Sequence, residues 1–167
     1  MPDNGARVVL EESERPLASS FEDCGRVDPG ETAEVTVYLR SKLPDVESGQ
    51  RVNVLAAAPL SERQYLSREQ LAEIRGASPE DIARVEAFAK SYGLEVAATD
   101  PAARTVALRG KLGNLEKAFG VELRNYRDGA ALFRDYAGPI SLPADVAPAV
   151  QAVLGLSTRA VARRRVT

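Results

Sequence analysis

The feature that most constrains the fold is an ordered series of patterns between Ser67 and Leu156: helix, helix, strand, strand, helix, strand and an apolar closing segment. Ser67, followed three residues later by Gln70, matches a capping box. Ser78 before Pro79 matches the start of another helix, with acidic residues in its first turn. Two consecutive helices are therefore predicted to begin at these serines.

Shorter patterns follow the second helix. Residues 94–99 and 104–109 are apolar alternating runs on either side of the turn DPAA, which predicts a β-hairpin. Residues 114–119 indicate a short helix, stopped by Gly120. The next segment, VELRNYR, alternates again and predicts a strand.

The first strand of the series lies upstream, at residues 33–40, where apolar and polar side chains alternate. Two crossovers joined by a hairpin predict an α+β fold of the ferredoxin-like, split βαβ plan, an antiparallel sheet with helices packed on one face. An extra strand is expected at 132–136 and a final helix at 145–154, with Pro148 in its first turn.

The same patterns suggest three parts of the chain. Residues 1–32 are rich in polar residues, Pro and Gly, which predicts a mostly disordered leader. Residues 33–156 form the predicted folded domain, interrupted by an irregular excursion at 41–66. Residues 157–167 form a basic tail.

Composition excludes several functional classes. The 167 residues carry a net charge of −2, which does not favour nucleic acid or an anionic membrane as a partner. There is no histidine and one cysteine, Cys24, so the common general base and the usual metal ligands are missing. No phosphate loop or nucleophile motif is present, and no catalytic, cofactor or metal-binding residue is predicted. The N-terminus shows no Sec-type signal.

One face of the predicted sheet is a candidate partner interface. If the apolar residues of the strands face the helices, the other face carries five Tyr and Arg side chains, the residue types that interfaces favour. These are Tyr38, Arg40, Arg109, Arg124 and Tyr126. An ordinary solvated face and an RNA platform are the alternatives, although the aromatic content of 5% disfavours the second.

The tail STRAVARRRVT follows Gly155 and is the other candidate feature. Exposed basic segments are easy targets of proteases. The arginines predicted to belong to a linker or processing site are Arg159, Arg163, Arg164 and Arg165. A plain solvated chain end is the alternative interpretation.

From about residue 33 to residue 165, the chain resembles the activation prodomain of the sedolisin (serine-carboxyl) peptidases, most closely the kumamolisin type. An ordered series of residues carries the resemblance. The series is Gly76-Ala77, Phe88-Ala89, Gly93-Leu94, Gly110, Ala118-Phe119-Gly120, Arg134, Tyr136, Gly138, Leu142-Pro143 and Val153-Leu154-Gly155-Leu156. Arg134 and Tyr136 from this series complete the predicted partner interface.

The resemblance implies a non-catalytic propeptide with a ferredoxin-like fold, which helps a peptidase domain to fold and keeps it latent until autoprocessing in acid. Residues 157–167 would start the linker to that domain. The partner would be the sedolisin-type peptidase domain of the same polypeptide, which would carry the catalytic residues and any calcium site, and the precursor would be exported. The alternative is a stand-alone ferredoxin-like regulatory module that binds a small ligand or pairs with itself through the open sheet.

Overall fold

The computed structural model describes residues 5–42, 57, 59–61 and 67–160. Within these ranges the chain forms antiparallel sheets and α-helices. The strands are β1 (Arg7–Val9), β2 (Glu22–Arg26), β3 (Thr32–Leu39), β4 (Glu95–Asp100), β5 (Thr105–Lys111), β6 (Leu123–Asp128), β7 (Ala131–Tyr136), β8 (Ser141–Pro143) and β9 (Val150–Leu154). The helices are α1 (Arg68–Arg75), α2 (Pro79–Ser91) and α3 (Leu112–Phe119), with a 3₁₀ turn at Ala147–Ala149.

The largest sheet has the strand order β4-β5-β3-β9, and every neighbouring pair in it is antiparallel. Strand β3, the helices α1 and α2, the hairpin β4–β5 and then α3 follow one another as the split βαβ plan requires. The predicted α+β, ferredoxin-like fold is therefore confirmed, and β9 takes the fourth place in the sheet.

Local sequence signals account for the helices. The Ser67 hydroxyl accepts from the Gln70 amide at 3.1 Å, and the Gln70 side chain accepts from the Ser67 amide at 2.9 Å, so the predicted capping box is formed. The Ser78 hydroxyl caps α2 through the Asp81 amide. Helix α3 ends at Gly120, whose φ of 64° lies in the left-handed region that glycine tolerates best.

The core lies between the helices and the inner face of the large sheet. On this face β3 contributes Val35, Val37 and Leu39, all buried. Helices α2 and α3 cover them, and the Phe88 and Phe119 rings meet edge to face at 5.7 Å. The apolar residues that recur at helical spacing and those that alternate along the strands therefore pack together in one apolar layer.

The predicted final helix at 145–154 is wrong. Pro148 lies in the 3₁₀ turn, and the chain then extends as β9. Val153 of β9 pairs with Val37 of β3. An apolar run of this length does not by itself distinguish a helix from a strand. The outer edge of β3 needs a hydrogen-bonding partner, and the β-branched residues of 150–154 supply it.

The prediction that VELRNYR joins the large sheet is also wrong. Strand β6 instead forms a small sheet of order β2-β6-β7. The hairpin partner β7 confirms the extra strand expected at 132–136. A strand pattern shows that a segment is extended but does not show which sheet it enters, because many pairings satisfy the same alternation.

The leader also differs from the prediction of a mostly disordered segment. Strand β1 pairs with β8, and β2 pairs with β6. The Arg7 guanidinium donates at 2.7 Å to the carbonyl oxygens of Ala118 and Ser141, and at 3.0 Å to the Tyr92 hydroxyl. Residues 5–32 cannot form a core alone, but they fold by pairing with strands supplied by the rest of the chain.

Most of the excursion expected at 41–66 lies outside the described residues. In the part of the chain that the structure covers, no helix is long and apolar enough to cross a membrane.

Candidate functional site

The outer side of the large sheet, away from the helices, forms a continuous surface that we call the open sheet face. Strand register places cross-strand partners on this side together. Its residues are Glu34, Thr36 and Tyr38 of β3, Thr105, Ala107 and Arg109 of β5, Glu95, Ala98 and Asp100 of β4, and Ala152 and Leu154 of β9. All of these side chains are half-buried or exposed.

The open sheet face has a small-residue centre and a charged margin. Ala107 lies between Thr36 on one side and Ala98 on the other, so small side chains occupy the centre of the face. Leu154, opposite Thr36, is 54% exposed. A flat surface of small residues with an exposed leucine at its side allows close approach by another protein.

Charged groups surround this centre. Arg109 donates to Glu34 at 2.9 Å, and its cross-strand partner on β4 is Glu95. Asp100 lies at the end of β4 opposite Thr105. The margin therefore carries three carboxylates against one guanidinium, so acidic groups dominate it.

The predicted partner interface is divided between two sheets. Tyr38 and Arg109 lie on the open sheet face as predicted, and Arg40 is exposed just beyond the end of β3. Arg124 and Tyr126 belong to β6 in the small sheet. The prediction that these two residues share a face with Tyr38 is wrong, because β6 does not enter the large sheet.

Arg124 and Tyr126 have local partners in the small sheet. Arg124 donates to Glu122 at 2.7 Å and to Asp23 at 2.8 Å, and these hydrogen bonds raise its pKa. Tyr126 is 7% exposed and its ring stacks on Phe133 at 6.1 Å. Burial raises the pKa of Tyr126.

Arg134 is half-buried and Tyr136 is buried. The Arg134 guanidinium donates to the carbonyl oxygens of Gly155 at 3.0 Å and Leu156 at 2.9 Å. Burial lowers the pKa of Arg134 and raises that of Tyr136, which is 3% exposed. Both side chains therefore contribute to internal packing.

The structure describes only the beginning of the predicted linker. Arg163, Arg164 and Arg165 lie outside the described residues. Arg159 is half-buried, with its Nε 3.6 Å from Asp135 and its guanidinium 5.6 Å from the centre of the Phe21 ring. This arginine is held against the small sheet.

The family model of the pro-kumamolisin activation domain matches residues 19–159, which include all three helices and both main sheets. The chain belongs to this activation domain family. The predicted resemblance to the propeptide of a sedolisin-type peptidase is confirmed.

Two relatives agree with this assignment. Kumamolisin from Bacillus sp. (strain MN-32) is 38% identical over 157 residues, which is 94% of this chain. Tripeptidyl-peptidase sed5 from Aspergillus fumigatus is 29% identical over an alignment of 170 positions that covers 90% of this chain. The chain spans about 28% of the length of both relatives.

Several residues of the activation-domain series contact one another. Arg134 binds the Gly155 and Leu156 carbonyls. A Cβ on Gly110 would meet the Leu94 side chain. The series that identifies the family therefore marks places where elements approach closely.

Three residues with roles at these surfaces were missed by sequence reasoning. Leu154 was assigned to a helix, Glu34 was not considered as a partner of Arg109, and Asp135 was overlooked although it is fully buried. The available signal for Asp135 was a carboxylate between Arg134 and Tyr136 in the sequence FRDYAG. A carboxylate in a strand that is partly buried requires a partner.

Proposed function

We propose that this chain is the propeptide of an acid-acting serine-carboxyl endopeptidase, in which it acts as an intramolecular chaperone and as an inhibitor that keeps the zymogen latent. The observation that carries the proposal is the activation-domain match over residues 19–159, in a chain that covers 28% of its relatives. The peptidase domain of the same polypeptide would be its partner, and export of the precursor would place both outside the cell.

The open sheet face supports this function because it suits docking to a large, preformed surface. Its strands are held from behind by α2 and α3, so its shape is fixed before binding. Preorganisation lowers the entropy cost of association, and small residues such as Ala107 permit close backbone approach. Tyr38 and Leu154 would supply the larger contacts beside that centre, on the side of β3 and β9.

The same docking would account for the chaperone role. A surface that binds the folded peptidase domain and not its unfolded chain shifts the folding equilibrium by mass action. Covalent attachment raises the effective concentration of the propeptide to roughly the millimolar range for a short linker, so even a moderate intrinsic affinity keeps the two domains associated.

Acid release follows from the charge balance, because histidine is absent. The chain has 22 basic and 24 acidic residues and a net charge of −2. As pH falls through the carboxylate range near 4, the net charge moves toward about +22, which strengthens repulsion within the chain and changes its attraction to any partner. We propose that this change weakens the complex and permits autoprocessing.

The margin of the open sheet face would take part in this transition. Glu34, Glu95 and Asp100 are its carboxylates, and Arg109 is its guanidinium. A carboxylate that pairs with a cation of the peptidase domain stabilises the complex only while it is ionised, so protonation in acid removes that contribution.

The test is a titration of the purified chain into a kumamolisin-type catalytic domain, with peptide hydrolysis followed at several pH values from 6 to 3. We expect saturable inhibition at pH 5–6 that fades toward pH 3–4. The matched variant is Glu34→Gln, which removes one carboxylate from the margin of the open sheet face and keeps the shape of the side chain.

Two results would contradict the proposal. Lack of inhibition at every pH by a chain shown to be folded would contradict the inhibitor role. Dissociation already at pH 6–7, above the carboxylate range, would contradict the account of acid release.

A further inference from the structure

The chain crosses from the large sheet to the small sheet immediately after β9. The crossing occurs at Gly155, whose φ is 100°, and an added Cβ there would lie 2.9 Å from the Glu34 carbonyl oxygen. Only glycine fits this approach without strain. Residues 156–159, which follow it, we call the strap.

The strap lies along the free edge of β7. The Thr158 amide donates to the Arg134 carbonyl at 2.8 Å, and the Arg134 amide donates to the Thr158 hydroxyl at 2.7 Å. The Arg134 guanidinium also holds the carbonyls of Gly155 and Leu156. The strap thereby satisfies an edge strand that would otherwise present open hydrogen-bonding groups to solvent.

An ion pair fixes the end of the strap. Asp135 is 0% exposed; its Oδ1 accepts from the Tyr136 amide, and its Oδ2 has no hydrogen-bond partner among the described groups. The guanidinium of Arg159 lies 3.6 Å from this Oδ2. A buried carboxylate without a counter-charge is strongly destabilising, so Arg159 compensates the charge of Asp135.

The Phe21 ring makes the same position favourable for a cation. The Arg159 guanidinium lies 5.6 Å from the ring centre, and Phe21 packs edge to face on Phe133 at 5.1 Å. Arg159 therefore joins the leader, β7 and the strap, whereas an exposed linker residue would make none of these contacts.

We propose that residues 156–159 are a locked strap and that Arg159 is its lock rather than a site of cleavage. A protease must bind several residues of extended, free backbone, so the bond between Arg159 and Ala160 is cut only after the strap leaves β7. One consequence rests on the proposed function: the strap fixes the point at which the linker to the peptidase domain starts. Any cleavage that occurs before the strap is released then falls on the C-terminal side of Ala160.

Limited digestion of the 167-residue chain with trypsin, followed by mass spectrometry, tests the strap without any peptidase partner. The readout is the rate of cleavage after Arg159 divided by the rate after Arg109, which lies in the central strand β5 and is cut only on global unfolding. Asp135→Asn keeps the shape and removes the charge that Arg159 meets. We expect it to raise the ratio at least tenfold, and the matched control Asp128→Asn, on the same sheet, to leave it unchanged.

Thr158→Val provides a second variant if Asp135→Asn unfolds the chain, since it removes only the hydroxyl that accepts from the Arg134 amide. We expect it to raise the ratio severalfold. The proposal is overturned if trypsin cuts wild-type chain after Arg159 as fast as urea-unfolded chain, or if Thr158→Val leaves the ratio unchanged. Because no inhibition is measured, failure here is distinct from failure of the propeptide function.

Discussion

The large and small sheets of this domain use their outer surfaces in opposite ways. The large sheet buries one face under α2 and α3 and leaves the other open, with small residues such as Ala107 at its centre. The small sheet is closed by Phe21 and the strap, which cover Phe133 and Asp135. The comparison separates a surface available to a partner from a surface used to hold the chain together.

Each sheet combines a local hairpin with a sequence-distant pairing. Strands β4 and β5 form the hairpin of the large sheet, and β6 and β7 form that of the small sheet. Val37 pairs with Val153 in the large sheet, and Asp23 pairs with Tyr126 in the small sheet. Sequence-distant pairing carries a higher entropy cost of loop closure, so both sheets depend on contacts between distant segments of the chain.

The largest expected effect is on the core under the large sheet. Phe119→Ala deletes a fully buried ring that contacts Phe88, so we expect a loss of about 3–5 kcal/mol in the free energy of unfolding. Leu132→Ala, at an exposed position of the small sheet, should change it by less than about 0.5 kcal/mol. Urea denaturation measures both, and equal losses would contradict the assigned core.

The next effect concerns the junction between the sheets. Gly155→Ala combines a positive φ with a clash against the Glu34 carbonyl, and we expect it to cost at least about 2 kcal/mol. Gly129→Ala is the matched control, because Gly129 also has a positive φ but no heavy atom within 4 Å of its added Cβ. It should cost about 1 kcal/mol. A smaller loss for Gly155→Ala than for the control in thermal denaturation would contradict the close crossing.

These positions show what the sequence can and cannot predict. The capping serines Ser67 and Ser78, the hairpin and the stop at Gly120 were predictable because each depends on neighbouring residues. The partner of β6 and the extended form of 150–154 were not, because both depend on which distant edge is left unpaired. Prediction of the candidate site was divided in the same way. The placement of Tyr38 and Arg109 on the open sheet face followed from alternation within correctly placed strands, whereas the partner of Asp135 required knowledge of the strap.

A functional difference between the sheets is expected for two tyrosines. Tyr38→Ala, on the open sheet face, should weaken inhibition of a kumamolisin-type catalytic domain about tenfold and change unfolding by less than about 1 kcal/mol. Tyr126→Ala, which removes a buried ring, should cost about 2–4 kcal/mol in stability and leave inhibition by the folded fraction unchanged. Inhibition titrations and denaturation of both variants test this pair, and the reverse pattern would move the docking surface to the small sheet.

The smallest expected effect is a pH dependence of the small sheet. The Gly25 amide and then the Arg124 side chain lower the pKa of Asp23. A lowered carboxylate pKa stabilises the fold above the unfolded value near 4 and ceases to do so as pH falls through the folded value. Asp23→Asn should therefore flatten the stability profile between about pH 4 and 2, with Asp128→Asn as the control. Identical profiles of stability against pH for wild type and Asp23→Asn would contradict a contribution of Asp23 to the pH dependence.

The central claim, that the open sheet face meets the peptidase domain and the small sheet does not, is tested most directly by thiol protection. Cys24 is exposed on β2 of the small sheet and serves as the internal reference. Ala107→Cys adds a second thiol at the centre of the open sheet face, between the small side chains of Ala98 and Thr36. Alkylation rates of both thiols would be measured in the free chain and in its complex with a kumamolisin-type catalytic domain. We predict that the complex protects the introduced thiol and leaves Cys24 reactive, whereas protection of Cys24 with an unprotected introduced thiol would contradict the account.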